Sequence, residues 1–212
     1  MYLTFMVRYI HGIEYLGFTT YFDPKYEGKP NLFGYRKLLK EGWDNTWRGG
    51  LESIQGKIMK LKGYFDVCNL NKNGSFEWEG IHFQMVQSVH IMNGYYVVPT
   101  YGLIISDPDT GKKIYYTGDT QHCPHQIQDF YDMCDFIIHD CETLPFNSGV
   151  HANYMDLISL SDDTKAKMYL QHYQDNILTK GGKILKKWSD KAEKDGFKGF
   201  LKKGWVLDVS EM

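Results

Sequence analysis

Three side chains of the kinds that hold a metal ion stand where short apolar runs stop. His90 closes the run through Val86 and Val89, Asp119 follows Tyr115-Tyr116-Thr117-Gly118, and His172 follows Met168-Tyr169-Leu170-Gln171. An apolar or aromatic run that ends abruptly in a polar cluster is the pattern of a buried strand handing its last side chain to a site at the sheet rim. Imidazole and carboxylate are ligands for zinc or a similar ion. One carboxylate between two histidines can bridge two metals about 3.5–4 Å apart, an arrangement that activates water and clamps a phosphate. The chemistry this would serve is metal-assisted phosphoester hydrolysis. His139 and His151 fall in the same stretch, so Asp119, His139, His151 and His172 are expected to converge. An imidazole near neutral pKa beside a metal-bound phosphate suits a general acid, and His151 is the candidate.

These residues need a sheet to position them, and the pattern supplies one. Ile81, Phe83 and Met85 alternate with polar residues up to His90, a strand from Tyr95 to Ser106 follows, and Asp107-Pro108-Asp109-Thr110-Gly111 turns into a strand from Lys113 to Tyr116. A helix over 122–133, a strand over 136–138, a helix over 153–160 and a strand over 167–170 complete the frame. Upstream, Ile10, Ile13 and Leu16 have helical spacing, and 23–30 is a loop by its prolines and glycine. Residues 32–58 read as two short helices joined at glycines, with Phe33, Tyr35, Trp43 and Trp47 as core or a dimer face. The tail, 180–203, carries nine lysines against three acids around an apolar stripe of Ile184, Leu185, Trp188 and Ala192, which reads as the solvated face of a surface helix.

A chain of 212 residues can bury one good core, so a single domain over 1–212 is expected. A net charge of −2 makes a polyanion-coating surface an unexpected main role, so DNA or RNA partners are not anticipated. No run of roughly 18 apolar residues exists for a membrane span, and the N-terminus has no signal-peptide pattern. Cys68, Cys123, Cys134 and Cys141 have no repeated spacing and read as small hydrophobes in a reduced, cytoplasmic protein.

Four linked blocks carry a resemblance: Tyr116-Thr117-Gly118-Asp119-Thr120, Ile138-His139-Asp140-Cys141-Glu142, then His151, then Leu170-Gln171-His172-Tyr173. In order and spacing they resemble the later motifs of the metallo-β-lactamase superfamily, in the branch that contains tRNase Z. The segment Ser148-Gly149-Val150-His151-Ala152-Asn153-Tyr154 looks more like that of phage anti-Pycsar phosphodiesterases, which cleave cyclic nucleotides. The resemblance implies an α/β fold, an αββα sandwich of mixed sheets. It makes His90 a ligand of one metal, His172 a ligand of the other and Asp119 the bridge. His151 would contact the scissile phosphate and protonate the leaving group, with His139 and Glu142 orienting it. Two zinc ions, or manganese, a cyclic nucleotide substrate and a homodimer joined through 32–58 also follow from it, with a phage protein countering host cyclic-nucleotide immune signalling as the setting.

The chain departs from the family at its start. The motif H-x-H-x-D-H is expected just before the helix near Ile10, where this sequence has Thr4-Phe5-Met6-Val7-Arg8-Tyr9, and the first strands of the fold are lacking. Each metal then keeps two protein ligands, one of them shared, where catalytic zinc normally has three. Arg8 in place of a carboxylate disfavours a dication and could hold a phosphate. Either the sequence begins late or the site is lost. The alternative to a hydrolase is therefore a non-catalytic relative that binds a nucleotide or a partner. A tRNA 3′ processing endonuclease is the further alternative, for which no basic, Gly/Pro-rich arm is seen.

Overall fold

The structure is a computed structural model. It describes residues 11–206 and 208, and the expectations for residues 4–9, Arg8 among them, lie outside the described residues. The chain divides into two compact units, the first ending at Phe76 and the second beginning at Glu77.

In the first unit, α1 (His11–Phe22) buries Ile13 and Leu16 against Leu39, Trp47, Leu51 and Phe65, as the helical spacing anticipates. The strand β1 (Asn31–Gly34) follows, where the sequence reads as helix. After it, α2 (Arg36–Gly42) passes through a π-helical stretch, Trp43–Trp47, into α3 (Arg48–Leu51). Gly42 explains the irregular turn. A Cβ there would collide with the Trp47 ring, so only glycine lets the indole lie back over the backbone. A small hairpin, β2 (Ser53–Ile54) and β3 (Lys57–Ile58), leads through α4 (Leu61–Tyr64) to β4 (Asp66–Asn69), and β4 pairs in parallel with β1, the long-range contact that draws 31–34 into a strand. Two aromatics of this region pack within their own unit: Trp47 is fully buried, and Phe33 stacks on Phe76 with ring centroids 4.4 Å apart.

A seven-stranded sheet dominates the rest. Its strands are β5 (Ser75–Trp78), within which the division between units falls, β6 (Ile81–Asn93), β7 (Tyr96–Ser106), β8 (Lys113–Tyr116), β9 (Phe136–Asp140), β10 (Met168–Gln171) and β11 (Gly199–Phe200). The spatial order is β11-β10-β9-β8-β7-β6-β5. Neighbours β6, β7 and β8 are antiparallel, whereas β8, β9, β10 and β11 are parallel. The mixed α/β class expected from the sequence is thus the class observed.

Strand direction decides where a site can be. Because β8, β9 and β10 run in parallel, their C-terminal ends, at Tyr116, Asp140 and Gln171, open on one edge of the sheet. Residues leaving such ends are where α/β sheets place their ligands. β6 runs the same way, being two antiparallel steps from β8.

The helix α5 (Pro124–Met133) covers this sheet. Pro124 sits at the start, where its missing N–H is no loss, which explains why helix begins there and not at His122. Its Ile127 and Tyr131 are fully buried with Tyr115 and Ile137 in one apolar cluster. Two short helices, α6 (Tyr154–Leu157) and α7 (Asp162–Lys165), are capped by Asn153 and Ser161, whose side chains accept backbone N–H groups. The tail helix is α8 (Lys186–Lys194), with Ala192 buried and Trp188 packed on the cluster. Cys134 and Cys141 are buried in the same cluster, and burial pushes the Cys134 thiol up to about 11, so both behave as small apolar groups.

Gly102 on β7 fixes how closely β8 can leave the sheet. A Cβ there would stand 2.6 Å from the Tyr116 carbonyl oxygen and 2.8 Å from that of Thr117, closer than real contacts allow. The substitution Gly102→Ala should push out the Thr117–Gly118–Asp119 turn and cost about 1–3 kcal/mol. Chemical denaturation checks the stability, and the same variant should bind metal more weakly than the wild type in a titration.

Candidate metal centre

Each sheet end delivers one side chain. β8 leaves the sheet through Thr117 and Gly118, the latter at φ +63°, a left-handed turn natural to glycine, and presents Asp119. β9 ends in Asp140 itself. After β10 the chain turns at once at His172, which holds φ +61°, a conformation that a non-glycine residue adopts at a cost. His151 arrives on the segment ahead of α6. One ligand atom from each of Asp119, Asp140, His151 and His172 lies within 4.8 Å of every other. The structure therefore gathers Asp119, His151 and His172 as the sequence suggests and adds Asp140, which sequence reasoning did not single out.

The contacts within the group are specific. His151 Nδ1 donates to Asp140 Oδ2 at 2.7 Å, and the Thr120 backbone N–H donates to the same oxygen at 2.8 Å. His172 stands between two carboxylates, Nε2 3.7 Å from Asp119 Oδ1 and Nδ1 3.5 Å from Asp140 Oδ1. These separations are too long for hydrogen bonds. The His151 and His172 rings stack at 4.5 Å between centroids. Asp140 is fully buried, and its Oδ1 has no hydrogen-bond partner. A buried carboxylate oxygen without a donor is costly, and a cation is the partner that removes the cost.

His90 lies at the edge of this group, its ring 5.4 Å from that of His151. The sequence suggests a strand that stops at His90. In the structure β6 continues to Asn93, and the β6–β7 register shifts between Val89 and Ile91, so His90 occupies a bulge, a device that re-aims a side chain. Its Nδ1 donates to the Val150 carbonyl at 2.9 Å, while Nε2 is buried without a partner. A carbonyl can only accept, so Nδ1 carries the proton and Nε2 offers a lone pair, which is how a ligating histidine is commonly prepared. The donor set therefore fits a dication of the zinc or manganese type. Asp119, Asp140 and His172 surround one point, and His90 Nε2 is a further free ligand.

The resemblance assigns His139 and Glu142 to orient His151; here the ring of His151 is hydrogen-bonded by Asp140, and the other two act from elsewhere. The His139 ring is fully buried beneath α5, where Nδ1 donates to the Asp140 carbonyl at 2.6 Å and Nε2 accepts from the Tyr131 hydroxyl at 2.6 Å. Burial pulls its pKa down to about 4, so it stays neutral. Glu142 accepts the Ser148 backbone N–H at 2.9 Å and pairs its backbone with Ala152 and Tyr154, which anchors both ends of the segment that carries His151.

Gln121 ties the two halves together. Its side-chain N–H groups donate to the His90 carbonyl at 2.8 Å and to the Gly149 carbonyl at 2.6 Å. It thereby fixes the His90 bulge to the His151 segment. Gln121→Ala should weaken metal binding about 10-fold, the usual cost of losing an outer support, as read by titration with zinc; an unchanged affinity would show that the bulge holds itself.

Comparisons with known proteins bear on the fold and the family. Among solved structures, the chain is similar to the metallo-β-lactamase fold protein YhfI from Bacillus subtilis, with a TM-score of 0.63 and 15% identity over 97% of this chain and 75% of that one. It is likewise similar to Zn(2+)-bound PqqB from Methylobacterium extorquens, with a TM-score of 0.61 and 14% identity over 94% and 69%. At these identities the likeness speaks of the fold, and the fold is that of the metallo-β-lactamases. The anti-Pycsar protein Apyc1 of Paenibacillus harenae is 30% identical over 179 residues, 81% of this chain and 68% of that protein. The family model for Anti-Pycsar protein Apyc1 matches residues 4–207. Nearly the whole sequence, and with it every side chain of the metal centre described above, falls inside that match, and the chain belongs to the Anti-Pycsar Apyc1 family.

Proposed function

We propose that this chain is a metal-dependent phosphodiesterase that opens a cyclic nucleotide, as a phage protein acting against host cyclic-nucleotide signalling in the cytoplasm. The observation that carries the reading is the convergence of Asp119, Asp140, His151 and His172 around a buried, unpartnered carboxylate oxygen, in a chain of the Anti-Pycsar Apyc1 family. Asp119, Asp140 and His172, with His90 beside them, would hold zinc or manganese. When bound, the metal supplies Lewis-acid polarisation of a phosphoryl oxygen and a water acidified to a pKa of roughly 7.

The remaining work falls to the protein's own groups. The hydrogen bond from Nδ1 to Asp140 raises the His151 pKa above its ordinary value, with Asp119 and Glu142 adding to it against the effect of burial. The shift favours the protonated ring, and Nε2 is the atom from which a proton can reach a leaving alkoxide. Glu142 and Gln121 hold the segment that carries the ring. The reading also takes the active form as a homodimer, for which sedimentation should give twice the mass of one chain.

Incubation of the zinc- or manganese-loaded chain with a panel of 3′,5′-cyclic nucleotides is the test. Ring opening to the linear monophosphate, abolished by a chelator and restored by metal, is the expected result. Stoichiometric metal with no ring opening of any member would overturn the substrate, and absence of metal binding would overturn the enzyme.

A further inference from the structure

The first unit contains a cleft of about 740 Å³, within the size range of small-molecule sites. Five cationic side chains line it, Arg36, Lys40, Arg48, Lys60 and Lys62, against one carboxylate, Glu52. Two of the five are already neutralised. Arg48 Nε donates to Glu52 at 2.7 Å, and Lys40 pairs with Asp44. Arg36, Lys60 and Lys62 have no carboxylate partner among the described residues.

Nothing in the packing calls for three unpaired cations around one concavity. All three are exposed, and like charges held together repel. They also reach the cleft from separate places, Arg36 from the first residue of α2 and Lys60 and Lys62 from the start of α4. An anion is the ligand that turns this arrangement from a cost into a gain. An arginine fork and two ammonium groups lining one cleft match phosphate, since the guanidinium offers paired N–H groups and the lysines offer point charge.

The rest of the lining narrows the choice. Trp43 contributes a half-buried indole, and Leu39, Leu61 and Val67 an apolar wall. A flat aromatic face beside a cationic pocket suits a base attached to a phosphate, because base–indole stacking is insensitive to which base is offered. We propose that this cleft binds a nucleoside monophosphate, the phosphate held by Arg36, Lys60 and Lys62 and the base laid against Trp43. Its lining residues all belong to the first unit, whereas Asp119, Asp140, His151 and His172 belong to the second. The site therefore stands or falls independently of the metal centre.

Equilibrium dialysis of the full chain against AMP, CMP, adenosine and inorganic phosphate, at low and at physiological salt, tests it. At least one monophosphate should bind saturably and at least 10-fold more tightly than adenosine or phosphate alone, and more weakly as salt rises. The variant Arg36→Ala/Lys60→Ala/Lys62→Ala removes only exposed, unpaired groups, so its unfolding midpoint should match the wild type while binding weakens at least 10-fold. Asp140→Asn should leave this binding unchanged. Phosphate binding as tightly as AMP or CMP, retention of binding in the triple variant, or its loss in Asp140→Asn would each overturn the proposal.

Discussion

Asp140→Asn should abolish stoichiometric zinc or manganese binding and lower ring opening about 100-fold or more, while leaving the chain folded. The carboxylate is fully buried and serves two sides at once. Oδ2 accepts from His151 and from the Thr120 backbone, and Oδ1 faces His172 at 3.5 Å with no hydrogen bond of its own. Asparagine keeps the shape and removes the charge, so a cation keeps only the Asp119 carboxylate of the group and His151 loses the carboxylate it donates to. Loss of an outer partner alone costs 10–100-fold in metal affinity or activity, and Asp140 is both a candidate ligand and the support of His151.

Thermal unfolding separates the possibilities. A metal at about 100 times its dissociation constant stabilises the wild type by about 2.7 kcal/mol, and that increment should vanish in the variant. Full metal binding by Asp140→Asn would remove Asp140 from the ligand set. Full binding with lost hydrolysis would restrict it to holding His151.

The second large effect concerns stability against acid. His139 is fully buried with a pKa lowered to about 4, chiefly by burial, from an ordinary 6.5. The folded state therefore selects the neutral ring. Above pH 6.5 the ring is neutral in both states and its contribution is complete. Between 6.5 and 4 the unfolded chain takes up the proton and the folded chain does not, so stability falls as pH falls. Below about 4 the loss is finished. At 1.36 kcal/mol per unit, the window is worth about 3 kcal/mol. Denaturant titrations from pH 7.5 to 4 should show this slope in the wild type and a flatter one in His139→Gln, whose amide does not titrate. Equal slopes would mean that the buried ring is not the group responsible.

Much of the centre was legible in the sequence because it is local. Asp119 and His172 each follow a short apolar run that announces a strand end, His151 lies in the compact block 148–154, and the structure brings the three together. Asp140 was not legible, and the reason is strand parity. Successive side chains of β9 point to opposite faces, so of the neighbours His139 and Asp140 only one can face the centre. A strand with one wet face shows its parity by alternation, but β9 lies inside the sheet with both of these side chains fully buried, and Phe-Ile-Ile gives no alternation to read. What decides it is α5, whose Tyr131 receives His139 and leaves Asp140 to the other side. The His90 bulge is hidden for a similar reason, since a register shift depends on β7 and no residue of β6 announces it. In the first unit, residues 31–34 became a strand through pairing with β4, more than thirty positions away, a contact that local spacing does not contain.

His172 holds a left-handed backbone, with φ at +61°. A non-glycine residue in that region carries a penalty of order 1–3 kcal/mol, which the β10 pairing and the Tyr173 anchor to Leu201 sustain. A glycine at position 172 would relieve the tension and toughen the polypeptide even as it removed a candidate ligand, so robustness and the proposed metal binding pull in opposing directions at this one peptide unit.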